Sequence, residues 1–168
     1  MGEGVAPSPL RLFITGGAGT GKSHVISVIR EHIECTHTGS GNACMLAAPT
    51  GVAAFNIGGL TIHRALNLPV EHDRSTAYKK LSAERLHELR CLWKDVHFMI
   101  IDEISMVSYQ TFTFIPRRLT EIKGTDHTEV HFGGISIIAV GDFFNCHLSG
   151  IDLSSRMAKA MSSNSPVA

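Results

Sequence analysis

The sequence predicts an α/β protein in which a mainly parallel sheet carries helices on both faces. Short apolar runs of strand length alternate with longer segments of helical spacing, and this alternation is typical of parallel sheets with helical crossovers. A glycine-rich loop joins the first strand to the first helix, and two adjacent acids follow the third strand. Because ligands of such sheets bind where the strands end, the same observations predict the position of the site.

The elements follow from apolar spacing along the chain. Four strands are predicted, at residues 10–15, 43–48, 96–101 and 135–140, the third apolar enough to be buried on both faces. Helices are predicted at residues 22–34, 51–55, 60–66, 78–93 and 108–122. Thr50 is expected to cap the second of these helices, and Pro116 to interrupt or kink the last. The first helix is expected to bury Val25, Ile26, Ile29 and Ile33.

The loop between the first strand and the first helix fits the pattern G-x-x-x-x-G-K-[ST] at every fixed position. Its glycines let backbone N–H groups turn inward, and the helix N-terminus adds the positive end of its dipole. Lys22 supplies a mobile cation and Ser23 a hydroxyl for Mg²⁺. A glycine-rich turn without a ligand is the alternative, which the strand–loop–helix context disfavours. The predicted phosphate-binding residues are Gly16, Gly17, Ala18, Gly19, Thr20, Gly21, Lys22 and Ser23.

Two carboxylates, Asp102 and Glu103, directly follow the apolar run of the third strand. This is the Walker B arrangement, in which Asp102 holds Mg²⁺ and Glu103 orients and deprotonates the attacking water. An ordinary strand-to-helix turn also produces such a pair by chance. After a complete phosphate loop, the sequence favours the catalytic interpretation, with Lys22 and Glu103 as the catalytic residues.

Two further stretches follow predicted strands. Residues 48–54, with Thr61 and His63 shortly after, place small and hydroxyl residues at a helix start, where N–H groups stay accessible to phosphate. Residues 141–145 follow the fourth strand, where a polar group could sense the γ-phosphate of ATP. Taken alone, an ordinary helix cap and an ordinary turn are the simpler interpretations of these two stretches.

The four stretches, in this order, resemble the Pif/Rrm family of superfamily-one DNA helicases, including the helicase domains of Helitron-type elements. Residues 13–23 look like motif I of that family, and residues 100–107 look like motif II. The remaining similar stretches are residues 48–54 and 57–63 (motif Ia and its extension), and residues 132–134 and 141–144 (the approach to motif III and its start).

The resemblance implies a three-layer, RecA-like P-loop NTPase domain that is the first motor domain of a helicase. It implies ATP hydrolysis with Mg²⁺, coupled to 5′-to-3′ movement on single-stranded DNA, and a role in DNA repair, recombination and telomere or genome maintenance. Thr50, Gly51 and His63 fall where the family touches DNA. The implied location is nuclear, with mitochondria as the alternative.

The sequence departs from the family pattern near its end. Asn145 stands where the family usually has Gln, and its side chain is one methylene shorter, although it remains the candidate for γ-phosphate contact. Residues 10–147 are expected to form the motor domain, with residues 1–9 disordered and residues 148–168 a disordered tail outside the family. The chain is therefore expected to be a fragment without the second motor domain, unable to unwind DNA alone.

The overall composition does not indicate a binding partner, so evidence for one must come from local features of the sequence. Fifteen basic and fifteen acidic residues give a formal net charge of zero, so no overall charge argues for nucleic acid. Four scattered cysteines indicate a reducing, intracellular setting, and no apolar run has the length of a membrane span. Two alternatives remain: a nucleotide-binding module without unwinding activity, or an unrelated P-loop ATPase such as a ring-forming one. Oligomeric state stays open.

Overall fold

The structure is a computed structural model that describes residues 8–39, 42–69, 78–125 and 130–142. Its sheet has five parallel strands in the spatial order β1-β5-β4-β2-β3. The strands are β1 (Arg11–Thr15), β2 (Cys44–Ala48), β3 (Leu60–Thr61), β4 (Phe98–Ile101) and β5 (Ser136–Gly141). The helices are α1 (Lys22–Thr36), α2 (Gly51–Asn56), α3 (Ile62–Leu66), α4 (Ala83–Leu92) and α5 (Tyr109–Lys123), with 3-10 helices at Ile104–Met106 and His131–Gly134. The predicted fold class is confirmed.

Two apolar clusters cover the opposite faces of the sheet. Along β4, Met99 and Ile101 join one cluster whereas Ile100 joins the other, as the alternation of side chains in a strand requires. The first cluster packs beneath α3, α4 and α5, and the second beneath α1 and α2. Strands β2 and β4 are buried almost throughout because both of their faces are covered. This is a three-layer arrangement.

Several boundaries differ from those predicted. The predicted helix at residues 60–66 begins with two residues of strand, β3, which pair with Ala47 and Ala48 before Thr61 caps α3. The predicted helix at residues 78–93 starts at Ala83, because Ser82 is its N-cap and accepts from Arg85 N.

Two expectations about the first and last helices also need correction. Val25 is 40% exposed rather than buried, whereas Ile26 and Ile33 face the sheet. α5 runs through Pro116 without interruption, although proline cannot donate a hydrogen bond to the carbonyl of Phe112. The buried neighbours Ile115 and Leu119 anchor the helix on both sides of the proline.

Some predictions fall on parts of the chain outside the described residues. These are most of residues 1–9, residues 143–145 with the γ-phosphate candidate Asn145, and the tail at 148–168. In the part of the chain that is described, no helix is both long enough and apolar enough to cross a membrane.

Candidate nucleotide and DNA site

The phosphate-loop residues connect the end of β1 to the start of α1, as the sequence predicts. Gly19 and Gly21 have φ angles of +75° and +87°, which L side chains rarely adopt, so both positions need glycine. Gly21 is the N-cap of α1. The loop therefore turns sharply onto a helix of 15 residues, whose N-terminal N–H groups and dipole favour an anion.

Lys22 folds back over this loop. Its Nζ donates to the backbone carbonyl oxygens of Gly16 and Gly17, at 2.7 and 2.8 Å. Thr20 Oγ1 also donates to the Gly17 carbonyl, at 2.8 Å. Neutral carbonyls are weaker partners for an ammonium group than phosphate oxygens, because bonds between two charged groups are stronger. Lys22 can thus exchange its loop carbonyls for the phosphate groups of a nucleotide.

The two acids lie where β4 ends. Asp102 is buried, its backbone N–H donates to the Ala47 carbonyl at 2.9 Å, and its Oδ1 accepts from Glu103 N at 2.9 Å. Glu103 has φ +49°, a left-handed conformation that is costly for a residue with a side chain. Such strain is typical of functional positions that the surrounding structure fixes.

Strand β5 lies between the phosphate loop and the acids. Thr15 at the end of β1 is paired with Gly141 at the end of β5, and β5 in turn pairs with β4. A Cβ on Gly141 would lie 2.8 Å from Ile104 Cγ2 and 3.2 Å from Ile104 N, so only glycine permits this approach. The ends of β1, β5 and β4 therefore form one continuous edge, with Asp142 following β5 between the loop and the acids.

The three candidate DNA contacts lie further along the same edge. Thr50 caps α2 by accepting from Ala53 N at 3.2 Å, as predicted, and Gly51 is the first residue of that helix. His63 lies in α3, whose cap is Thr61. Because β2 and β3 are parallel to the other strands, their ends place these residues beside the acids rather than at the opposite edge.

His63 also lines a cavity of about 200 Å³ that sequence reasoning missed. The cavity lies between the start of α3 and the segment that leads from Glu103 into α5. Its other lining residues are Pro49, Ile62, Met106, Val107, Ser108 and Thr111. These positions are far apart in sequence, and the signal available was the apolar pair Met106–Val107, which follows the two acids after Ile104 and Ser105.

A parallel sheet whose glycine-rich loop, paired acids and fifth strand meet at one edge defines a P-loop NTPase domain. The chain belongs to the PIF1-like helicase family, whose family model matches residues 3–165. That match extends beyond residues 10–147 on both sides, and the domain boundaries stay predictions. Membership of this family excludes the alternative of an unrelated P-loop ATPase.

Curated relatives are similar over most of this chain. The ATP-dependent DNA helicase PIF1 of Saccharomyces cerevisiae is 36% identical over 137 residues, and RRM3 of the same species is 32% identical over 134 residues. Each match covers 79% of this chain but only 15% and 18% of the relatives. The chain thus spans less than a fifth of the length of these proteins.

Solved structures agree with the fold. Bacteroides Pif1 bound to ssDNA has a TM-score of 0.62 and 32% identity, and the match covers 80% of this chain and 29% of that chain. Pif1 helicase from Candida albicans has a TM-score of 0.61 and 30% identity, covering 80% of this chain and 29% of that one. The described sheet therefore corresponds to a RecA-like helicase domain.

Proposed function

We propose that this chain is the first motor domain of an ATP-dependent DNA helicase, which couples ATP hydrolysis to 5′-to-3′ movement on single-stranded DNA. One observation carries the proposal: the phosphate loop, the two acids and the candidate DNA residues lie along a single edge of one parallel sheet. In such an arrangement, the hydrolysis site and the DNA contacts lie at the ends of neighbouring strands. A conformational change at the hydrolysis site can therefore alter the DNA contacts, and DNA binding can alter the hydrolysis site.

The residues present fit ATP and Mg²⁺. The loop offers N–H groups, the start of α1 and the ammonium group of Lys22 for the phosphates, and Ser23 offers an exposed hydroxyl. Mg²⁺ uses only one or two protein ligands together with substrate phosphates, and among the described residues no cluster of three or more His, Cys, Asp or Glu side chains could hold a metal alone. When bound, Mg²⁺ neutralises charge on the phosphates. Asp102 and Ser23 would hold it.

Glu103 is the proposed catalytic base. Its backbone is fixed by the hydrogen bond to Asp102, and Met106 N donates to its carbonyl at 2.9 Å. A carboxylate carried on a fixed backbone at this edge of the sheet can act as the base that accepts the proton of the attacking water. Asn145, outside the described residues, is the proposed γ-phosphate contact.

Thr50, Gly51 and His63 are the proposed contacts to the DNA strand. Related structures of Bacteroides Pif1 include one bound to ssDNA and one in complex with ADP-AlF3 and ssDNA. Here, His63 lies within the first turn of α3, and the exposed Arg64 that follows adds a positive charge beside it. We extend the proposal to DNA in the nucleus or in mitochondria, and to repair, recombination and telomere maintenance; imaging of a fluorescent fusion would test the location.

A measurement of ATP hydrolysis with and without single-stranded DNA tests the proposal. The unchanged chain should hydrolyse ATP slowly, and single-stranded DNA should accelerate it. Lys22→Ala should weaken nucleotide binding and lower the rate about 100-fold or more, because it removes the positive charge that would bind the phosphates. Glu103→Gln should keep nucleotide binding while lowering the rate by about 10²–10⁴-fold, as expected for a lost general base.

Lys80→Ala is the matched control, since it removes an exposed lysine that is remote from the phosphate loop in sequence. It should leave nucleotide binding and the rate of ATP hydrolysis unchanged. Nucleotide binding without any hydrolysis would support the alternative of a binding module without turnover. Hydrolysis that survives Glu103→Gln would contradict the proposed base.

A further inference from the structure

Strand β2 has a neighbouring strand along only part of one side. On that side β3 pairs with Ala47 and Ala48 alone, whereas on the other side β4 accompanies β2 from Cys44 to Ala47. Residues 44–46 therefore lie on a stretch of the sheet that no other described strand covers. We call this stretch the open side of β2.

The backbone groups on the open side follow from the alternation of hydrogen bonds along β2. The carbonyls of Ala43 and Ala47 accept from N–H groups of β4 and of the residue after it, at 3.1 and 2.9 Å. Successive residues direct their backbone groups to opposite sides, so Cys44 and Leu46 direct theirs away from β4. Gly59 covers the Leu46 carbonyl, since a Cβ there would lie 2.5 Å from that oxygen. The Leu46 N–H and both backbone groups of Cys44 remain, and no backbone hydrogen bond between described residues engages them.

A cavity of about 150 Å³ lies against the open side of β2. Its other lining residues include Arg30, Gly58, Gly59 and Leu92. The volume is below the range of about 300–1,000 Å³ that accommodates drug-sized ligands. Unpaired N–H and C=O groups beside a strand are instead a template for the backbone of another strand. The cavity therefore suits a short extended segment of polypeptide better than a compact ligand.

Arg30 of α1 gives this cavity a positive charge. Its Nε donates to Glu34 at 2.7 Å, and its terminal nitrogens form no hydrogen bond with the described residues. Nη1 lies beside Gly58, at 3.7 Å from the position that a Cβ would take there. Because guanidinium groups form strong hydrogen bonds with carboxylates, an acidic side chain on the incoming segment matches Arg30.

Leu92 of α4 supplies apolar surface on the opposite face of the sheet. It is 44% exposed, a large apolar side chain that its own chain leaves partly uncovered. α1 and α4 pack against opposite faces of the sheet, and successive side chains of a strand also point to opposite faces. An acidic residue next to an apolar one would therefore direct its carboxylate to Arg30 and its neighbour to Leu92.

A second copy of this chain matches the open side of β2 less well. In the described sheet, the other outermost strand with a full-length free side is β1. That strand carries a basic residue, Arg11, and no acidic one. We therefore propose that the open side of β2 binds an extended segment of a partner protein, which adds a strand to the sheet and places an acidic side chain against Arg30.

The position of this surface separates it from the nucleotide site. All the strands are parallel, and residues 44–46 lie at the start of β2. The phosphate loop and the two acids lie instead where β1 and β4 end. A partner bound at the open side of β2 therefore leaves the candidate site for ATP accessible.

Three pools of labelled heptapeptides test the charge and the backbone requirement. The first has Val-Glu-Val at its centre and random flanking residues, the second has Val-Lys-Val, and the third has Val-Glu-Val with methylated backbone nitrogens. Fluorescence anisotropy at one salt concentration should show the first pool binding about fivefold more tightly than the second, as expected for an exposed ion pair. Methylation should weaken binding about tenfold or more, because it removes hydrogen bonds between the strands.

Amide hydrogen exchange followed by NMR tests the addition of a strand. In the chain alone, the amides of Cys44 and Leu46 should exchange faster than those of Met45 and Ala47, which face β4. An excess of the first pool should slow exchange at Cys44 and Leu46 about tenfold or more. Exchange at Met45 and Ala47 should not change, so protection should alternate along β2.

Arg30→Glu assigns the charge preference to this surface. The variant should reverse the preference, so that the Val-Lys-Val pool binds more tightly than the Val-Glu-Val pool. It loses an ion pair with Glu34 in which both side chains are more than 40% exposed, so it should fold, which its urea unfolding midpoint would verify. Arg85→Glu is the matched control, because it breaks a similarly exposed ion pair on α4 at a residue that does not line the cavity.

Several results would overturn the proposal. These are no detectable binding of the Val-Glu-Val pool at about 1 mM, equal binding of the acidic and basic pools, or an unchanged preference in Arg30→Glu. Uniform protection along β2 would exclude an added strand. Protection of Cys44 and Leu46 without peptide, together with dimers in analytical ultracentrifugation, would replace the partner protein by a second copy of this chain.

Discussion

Arg118 and Glu121, one turn apart on α5, form an ion pair with Nη1 and Oε2 separated by 3.0 Å, and the guanidinium is 1% exposed. Glu121 also accepts from Leu81 N at 2.9 Å and from the Tyr78 hydroxyl. Arg118 Nη2 donates to the Lys79 carbonyl at 2.9 Å, and its guanidinium lies over the Tyr78 ring. The contacts of this pair therefore hold residues 78–81 against α5, just before α4 begins.

Removal of Glu121 should destabilise the fold strongly. Glu121→Ala leaves a buried guanidinium without its counter-charge, and we expect a loss of about 3 kcal/mol in the free energy of unfolding. This is the lower end of the range for a broken buried pair, because the Glu121 side chain is 16% exposed. Urea denaturation monitored by the fluorescence of Trp93 would measure the loss.

The pair Arg85–Glu88 provides the matched control, since it has the same spacing and a shorter distance of 2.7 Å but is exposed. Glu88→Ala should cost at most about 0.5 kcal/mol, because solvent screens exposed pairs. Similar losses of unfolding free energy in Glu121→Ala and Glu88→Ala would show that burial does not make the Arg118–Glu121 pair more important than an exposed pair.

Local patterns allowed much of the catalytic edge to be predicted from sequence. The phosphate loop and Asp102–Glu103 are contiguous residues with a fixed relation to the strand before them, so parallel pairing alone brings their ends to one edge. β3 was missed because two residues are too few to show an alternating pattern. The cavity at His63 was missed because tertiary packing alone brings Pro49 and Met106 together.

The sequence identifies the stretch Phe132-Gly133-Gly134 only as a feature of the family, and the structure supplies its physical reason. Gly133 has φ +61°, and a Cβ there would lie 2.6 Å from the Leu119 carbonyl oxygen in α5. Gly133→Ala should therefore lower the free energy of unfolding by about 3 kcal/mol, through left-handed strain together with overpacking. Urea denaturation would measure this.

Gly134→Ala separates the two causes. Gly134 has φ +79°, but its nearest contact would be Val130 Cγ1 at 3.6 Å, an ordinary distance. That variant should lose only about 1 kcal/mol from backbone strain. Equal losses at the two positions would show that the close approach to α5 contributes nothing.

His97 should make stability depend on pH. His97 is largely exposed, and its pKa is lowered below the ordinary value of 6.5 by the partial loss of water around its ring, followed by the neighbouring His37 and Lys123, while Asp95 opposes the shift. Because solvent screens an exposed group, the effect on stability should be small. The unfolded chain then binds a proton more readily than the folded one, so this contribution to stability is present above pH 6.5 and is lost as pH falls below it. The ring of His97 lies 5.1 Å from that of His37, which explains the effect of His37 on the pKa of His97.

Denaturation series at several pH values would test this dependence. In His97→Gln, the loss of stability below pH 6.5 should be smaller than in the unchanged chain, whereas His32→Gln, at an exposed histidine of α1, should leave it unaltered. The backbone bonds of residue 97 to Ala43 and Ser136 do not involve its ring and should persist in the variant. An unaltered pH profile in His97→Gln would contradict the assignment.

At position 103, the residue that the proposed chemistry needs is not the residue that the backbone conformation favours. Its φ of +49° costs about 1 kcal/mol or more for most residues, but asparagine tolerates the left-handed region well. Glu103→Asn should therefore raise the free energy of unfolding by about 0.5–1 kcal/mol while lowering the hydrolysis rate by about 10²–10⁴-fold. Glu103→Gln removes the same charge without the conformational preference, so it should lower the hydrolysis rate to a similar extent with little gain in stability. If both variants were equally stabilised, the cause would be the loss of the negative charge rather than the relief of backbone strain. If neither variant were stabilised, the left-handed conformation at Glu103 would carry no strain.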